Sequence, residues 1–261
     1  MIDTHSHLDF SHFDNDRETV IKKFLASGGK WLLNVGVNTE QNQKSLVLVE
    51  KYERIFCSLG YHPEELAKRS LSELLLEAEK FLLEKGRNKK VMAIGETGLD
   101  YFHNKQNKND QKKLFNKQME IASVLNLPVI LHCRDAYEDI FEMISKFKNL
   151  KFVLHCYSGN LEQTEKFLQL SGVHFSFTGN ITFLKKKDAE IFSVIRKISL
   201  DKIMVETDCP FLAPNPFRGK RNEPSYVKLI IEKLAEIRGL DFKEMEKITD
   251  QNAADFFDCK I

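Results

Sequence analysis

Residues 128–159 read "PVILHCRDAYEDIFEMISKFKNLKFVLHCYSG". Two short apolar runs, 129–131 and 152–154, flank a stretch where Ile140, Ile144 and Phe147 recur at helical spacing. Neither run alternates polar with apolar residues, so each reads as a strand buried on both faces. A strand, a helix and a second buried strand make a parallel pair joined by a crossover helix. Both strands close on the same dipeptide, His132-Cys133 and His155-Cys156.

The same grammar extends outward in both directions. Further apolar runs are "MIDTHSH", "KWLLNVGV", "RIFCSLGYHP", "KVMAIGETGLD", "HFSFTGNIT" and "KIMVETDCPFL". Helical patterns such as "RETVIKKFLASGG", "SLSELLLEAEKFLLEKG" and "KKLFNKQMEIASVLNLP" lie between runs. Ser70 with Glu73, and Asp241 with Glu244, read as capping boxes, while Gly28-Gly29 and Gly86 read as helix stops. Strand–helix units repeated eight times predict an α/β fold, a single-domain (β/α)8 barrel over residues 1–261; an open doubly wound sheet is the alternative. The tail "DFKEMEKITDQNAADFF" predicts a final helix packed through its Phe and Met face.

Composition narrows the functional classes. The chain is 42% hydrophobic and 30% charged with a formal net charge of +1, so no global basic field marks a polyanion binder and nucleic-acid contacts are expected to be local. Five cysteines, an odd number without zinc-ribbon spacing, predict a reducing, cytoplasmic setting. No apolar run is long enough for a membrane span, and the N-terminus lacks a secretory-signal layout.

Barrel active sites gather at the C-terminal ends of the strands. His5 and His7, two apart on strand 1, project to one face. Strand 3 runs into His62, strand 4 into Glu96, strand 5 into His132, strand 6 into His155 and strand 8 into Asp208. Imidazole and carboxylate are ligands of zinc, manganese and iron, and six such donors suit two ions sharing a carboxylate. Glu96 is the expected bridge, from the place of strand 4 between strand 1 and strands 5 and 6. A lone strand-end histidine is more often a rim residue, and the conjunction of six carries the metal reading.

Other residues have two readings each. Cys133, Cys156 and Cys209 follow proposed ligands and are expected to face away from them as packing residues. Asp3 and Glu206 sit one layer deeper, either orienting a ligand through a hydrogen bond or, for Asp3, capping the barrel floor. His174 reads as structural; His12 and His103 read as loop residues, His103 within reach of the strand ends. The stiff loop "PFLAPNPFRGKRNEP" carries Arg218, Lys220 and Arg221, and with Arg134 these are candidate phosphate contacts. Tyr101, Phe102, Tyr157 and Phe217 are candidate base-stacking residues, with core or rim packing as the plainer alternative.

"DTHSHLD", "GYHPE", "IGETGLDY", "LPVILHCRDA", "HCYSG", "VETDCPFLAPNPFRGKRNEP" and "QNAADFF" together resemble the TatD family of metal-dependent deoxyribonucleases, in family order from residue 1 to about 257. The resemblance implies a metal-dependent phosphodiester hydrolase, a 3′-to-5′ exonuclease on DNA. It implies two divalent ions (magnesium, manganese or zinc), one on His5, His7 and Asp208, the other on His132 and His155, with Glu96 bridging and His62 near the scissile phosphate. Asp208, Glu96 and His62 are the expected catalytic residues, and single-stranded DNA or a 3′ end the expected substrate, with no obligate protein partner or membrane. Ser6, Tyr61 and the tail "NAADFF" depart from the usual family pattern without removing a ligand. Rival readings are an amidohydrolase of a small amide or lactone, an aminoacyl-tRNA deacylase, and a non-catalytic nucleic-acid scaffold. The absence of a lysine in "GETG" disfavours the lysine-bridged amidohydrolases.

Overall fold

The computed structural model describes residues 1–103, 105–184 and 189–259. All eight expected strands form: β1 (Ile2–Ser6), β2 (Trp31–Val35), β3 (Ile55–Leu59), β4 (Val91–Asp100), β5 (Val129–Arg134), β6 (Phe152–Leu154), β7 (Val173–Phe177) and β8 (Ile203–Val205). They make one eight-stranded sheet in chain order, with β1–β2, β3–β4, β4–β5, β5–β6 and β7–β8 paired in parallel. Helices α1 (Arg17–Ala26), α2 (Thr39–Lys51), α3 (Leu71–Lys85), α4 (Lys108–Leu125), α5 (Tyr137–Ile144), α6 (Leu161–Leu168), α7 (Glu190–Lys197) and α8 (Val227–Arg238) separate or follow the strands, and α9 (Phe242–Phe257) ends the chain. The protein is a (β/α)8 barrel. No helix among the described residues is long and apolar enough to cross a membrane.

Local chemistry explains the boundaries. Ser70 and Glu73 form the reciprocal capping box at the start of α3, and the Asp241 side chain accepts the Glu244 amide at the start of α9. Gly28 has φ +95°, the left-handed conformation that stops a helix at little steric cost, whereas Gly86 stays right-handed at φ −64°. Val129, Ile130 and Leu131 are buried, as continuous apolar strands require.

The backbone divides into two compact units. The first comprises Met1–Asn34, Cys156–Gln169 and His174–Ile261; the second comprises Val35–His155 and Leu170–Val173. In the first, Ser6 bridges Cys209 in parallel, the His7 amide donates to the Cys209 carbonyl (2.8 Å), and the Asp208 amide donates to the His5 carbonyl (2.9 Å). In the second, β4 and β5 pair with Gly98 opposite His132 and Asp100 opposite Arg134. Gly98 has φ +147°, and a Cβ there would lie 2.0 Å from the His132 carbonyl oxygen, so only glycine lets the two strands approach this closely.

Candidate metal centre

In the first unit three donor atoms converge. His5 Nε2 and His7 Nε2 are 3.2 Å apart, and Asp208 Oδ1 lies 3.7 Å from the first and 3.4 Å from the second. Both imidazoles are buried. Asn34 of β2 sets the chain direction after His7: its side chain accepts the Leu8 amide (2.6 Å) and donates to Asp9 (2.7 Å). Asp208 sits at φ +56°, the left-handed region that aspartate tolerates better than most residues. That turn, three residues beyond the end of β8, aims its carboxylate at the two histidines.

In the second unit three imidazoles meet one carboxylate oxygen. Glu96 Oε1 lies 2.9 Å from His132 Nδ1, 2.9 Å from His155 Nε2 and 3.5 Å from His62 Nε2. Glu96 stands mid-strand in β4, which runs four residues further than the strand end expected at Glu96. Burial pushes its carboxyl up, but His155, His62 and His132 outweigh it and hold Glu96 well below the usual carboxylate range. Burial lowers His62, and the neighbouring His132 charge lowers it further. The Glu64 amide donates to His62 Nδ1 (3.2 Å), which places the proton of the neutral ring on Nε2.

Asp100 is a site residue the sequence reading passed over. Its Oδ2 lies 2.9 Å from His132 Nε2, and its Oδ1 accepts the amides of Phe102 (3.0 Å) and His103 (2.7 Å). Burial disfavours both charges, yet the paired contacts raise His132 and lower Asp100. His103 Nδ1 lies 2.9 Å from Asp100 Oδ2 and 3.1 Å from Glu64 Oε1, so this loop histidine reaches the site's outer carboxylate. Asp100 was legible in "ETGLD", because it shares a strand face with Glu96. Two glutamines one heptad apart on α4 were also passed over. Gln111 clamps the Asp100 amide and carbonyl (2.8 and 2.9 Å), while Gln118 holds the Tyr61 amide and carbonyl (2.8 and 2.9 Å) and Thr97 Oγ1 (2.7 Å). Their signal was polarity on the apolar face of a helix.

The two deeper carboxylates serve the backbone. Asp3 accepts the Thr207 amide (2.8 Å) and hydroxyl (2.6 Å) together with the His5 amide (3.4 Å), and burial pushes it up to about 8. Glu206 Oε1 accepts the Cys156 amide at 2.6 Å. Among the described residues no cysteine is in a disulfide, and none belongs to a candidate metal-holding group. Burial raises the Cys133 and Cys209 thiols, which keeps them protonated. His174 packs its ring on Phe256, as a structural histidine does.

The basic residues divide. Arg221 places its fork on both Asp16 oxygens (2.7 and 2.6 Å) and on the His12 carbonyl (2.8 Å), a local ion pair rather than an open anion contact. Arg134 and Arg218 are exposed, each lying over a phenyl ring (Phe102 and Phe183) at 4.4 Å. Among the expected stacking residues, Tyr101 and Tyr157 are buried and Phe217 stacks on Tyr226 at 4.3 Å, leaving Phe102 exposed.

Both donor sets suit a divalent cation. Tetrahedral ligands at about 2.0–2.1 Å from an ion stand roughly 3.4 Å from one another. The separations of 3.2, 3.4 and 3.7 Å in the first unit match that edge. His62, Glu96 and His132 form a second candidate group. Such imidazole-rich sets favour manganese or zinc over all-oxygen magnesium coordination.

Comparison with known proteins identifies the family. The family model described as TatD related DNase matches residues 2–258. The chain belongs to the TatD family. It is 36% identical over 259 residues to the uncharacterized metal-dependent hydrolase YabD of Bacillus subtilis, with 98% of each chain covered. It is 30% identical over 264 residues to the 3′-5′ ssDNA/RNA exonuclease TatD of Salmonella typhimurium, with 99% of each covered. The crystal structure of the TatD homologue YjjV from Escherichia coli superposes with a TM-score of 0.88 at 30% identity, covering 100% of this chain and 98% of that one. The protein is thus a TatD-family metal-dependent hydrolase.

Proposed function

We propose that this TatD protein hydrolyses phosphodiester bonds of single-stranded nucleic acid from the 3′ end, using two divalent ions. One ion is held by His5, His7 and Asp208, the other by Glu96, His132 and His155. The observation carrying this reading is the presence of two donor sets, one in each compact unit, with His5, His7 and Asp208 at 3.2–3.7 Å and three imidazoles on Glu96 Oε1. The exonuclease name of the Salmonella relative supports the substrate class.

When bound, divalent ions in such sites lower the pKa of water and offset negative charge on phosphoryl oxygens. The chain's own groups supply the rest. Asp208 orients the attacking water and accepts its proton. His62, neutral with its proton on Nε2, donates to a phosphoryl oxygen as charge develops there. Arg134 and Arg218, exposed and braced on phenyl rings, present guanidinium groups to the strand's phosphates.

The test is hydrolysis of an end-labelled single-stranded DNA oligonucleotide by metal-stripped protein, then with manganese, zinc or magnesium restored, beside Asp208→Asn. A ladder shortened from the 3′ end that requires metal and vanishes in D208N is expected. No cleavage by protein that binds two ions would overturn the reading in favour of an amide or tRNA-ester substrate.

A further inference from the structure

Among the described residues, Phe102 and Phe211 are the only exposed phenylalanines; Phe102 follows β4, which carries Glu96 and Asp100, and Phe211 lies three residues after Asp208 in the loop that follows β8. The face of Phe102 is covered by Arg134. Phe211 is 45% exposed, and it meets three rings edge-on: Phe10 at 6.1 Å (77°), His12 at 6.2 Å (70°) and His7 at 6.3 Å (66°). Phe10 in turn stacks on the His7 imidazole at 4.7 Å and 22°. A ring cluster therefore begins on a metal-site histidine and ends in solvent, entirely within the first unit.

An exposed phenyl ring on a flexible loop would be unremarkable surface. The backbone of Phe211 is hydrogen-bonded on both sides instead. Its amide donates to the Asp208 carbonyl (2.9 Å), and its carbonyl accepts from Asn222 Nδ2 (2.6 Å). Asn222 Nδ2 also donates to the Thr207 carbonyl (2.8 Å), and the Asn222 amide donates to the Pro210 carbonyl (3.0 Å). Arg221 next to it ties this loop to the His12 carbonyl and Asp16, across from its own stretch of chain. Four of these contacts fix the loop that bears Phe211, and the three made by Arg221 tie it to the stretch that bears His12. These contacts fix the backbone that carries the ring, and pre-ordering cuts the entropic cost of binding a planar surface against it.

We propose that the Phe10–His12–Phe211 cluster seats the nucleobase of the nucleotide beside the bond that is cut, with Arg221 as a positioning residue for that seat. The proposal rests on the nucleic-acid reading above and adds where the base goes. Ring stacking accepts every base because each has a π face, so the seat favours a nucleotide over a bare sugar phosphate without choosing a sequence. It also gives Arg221 a role other than phosphate contact.

The experiment compares metal-loaded protein on two single-stranded oligonucleotides, identical except that one has an abasic 3′-terminal nucleotide. Wild-type protein is expected to show a KM for the abasic strand roughly tenfold or more above that for the normal strand. That ratio falls towards one in Phe211→Ala and is retained in Phe211→Tyr, and Arg221→Ala lowers it without altering the metal content. Thermal melts of each variant confirm folding. Equal KM for both strands in wild type, or a ratio that survives F211A, overturns the base seat alone. Protein that cuts neither strand overturns the seat and the nuclease reading together.

Discussion

His132 is held at both ring nitrogens: Nδ1 lies 2.9 Å from Glu96 Oε1 and Nε2 lies 2.9 Å from Asp100 Oδ2. Turning the ring over would place carbon atoms against both carboxylates, so the contacts themselves choose its orientation. Asp100 thereby fixes which nitrogen faces Glu96. An outer carboxylate that orients a histidine in this way typically accounts for about 10–100-fold in metal affinity.

Replacing Asp100 with Ala or Asn is therefore expected to weaken one of two bound ions by about 10–100-fold and leave the other unchanged. Titration of metal-stripped protein with manganese or zinc, followed calorimetrically, reads both sites. Equal weakening of both, or of neither, would refute the orienting role.

Separability of the half-sites has its own test. His5→Ala and His7→Ala remove donors from the first unit, and His155→Ala removes one from the second. Elemental analysis is expected to give about two ions per wild-type chain and about one in each variant. A single ion in the wild type would contradict the two-ion proposal.

The metal-free protein should show a two-sided pH dependence. Asp100 and Glu96 are held below their ordinary values, so their contribution is present above about pH 4 and is lost as pH falls through the folded values. His132 is held above its ordinary value, so its contribution is full below about pH 6.5 and is lost as pH rises through the folded value. Calorimetric Tm of the stripped protein should peak between these limits, and D100N should flatten the alkaline side. A wild-type Tm that climbs steadily from pH 6 to 8 would count against the pairing.

Gly98→Ala is expected to be costly far beyond its size. The new methyl meets the His132 carbonyl at 2.0 Å, on a backbone at φ +147°. Strain and overpacking together predict a loss of roughly 3 kcal/mol, together with weaker metal uptake as β5 shifts. Chemical denaturation measures the first effect and metal titration the second; a loss under about 1 kcal/mol would show that the strands relax apart freely.

Much of the site was legible because it repeats a local rule. His5, His132 and Glu96 lie in strands, while His7, His62, His155 and Asp208 lie one to three residues beyond strand ends, so apolar runs pointed to each of them. The residues that orient them were harder to see. Gln111 and Gln118 are 7 residues apart and belong to a helix that reads as amphipathic, and nothing local says that Gln111 grips Asp100 or Gln118 grips Tyr61. Arg221 looked like a phosphate contact because it is basic and near Asp208 in sequence; Asp16, about two hundred residues earlier, is what claims it.

Strand and helix identity, the eightfold alternation and the donor inventory follow from sequence alone, because burial periodicity and ligand chemistry are properties of residues and their near neighbours. Which nitrogen of His132 faces which carboxylate, which arginines are already paired and which aromatic rings stay in solvent depend on contacts between distant stretches of chain. Only tertiary structure decides those, since a hydrogen bond is set by ångström-scale geometry that no local spacing encodes. Tyr101 and Phe102 make the point side by side: adjacent and similar in chemistry, one is buried against Asp139 and the other stands in water.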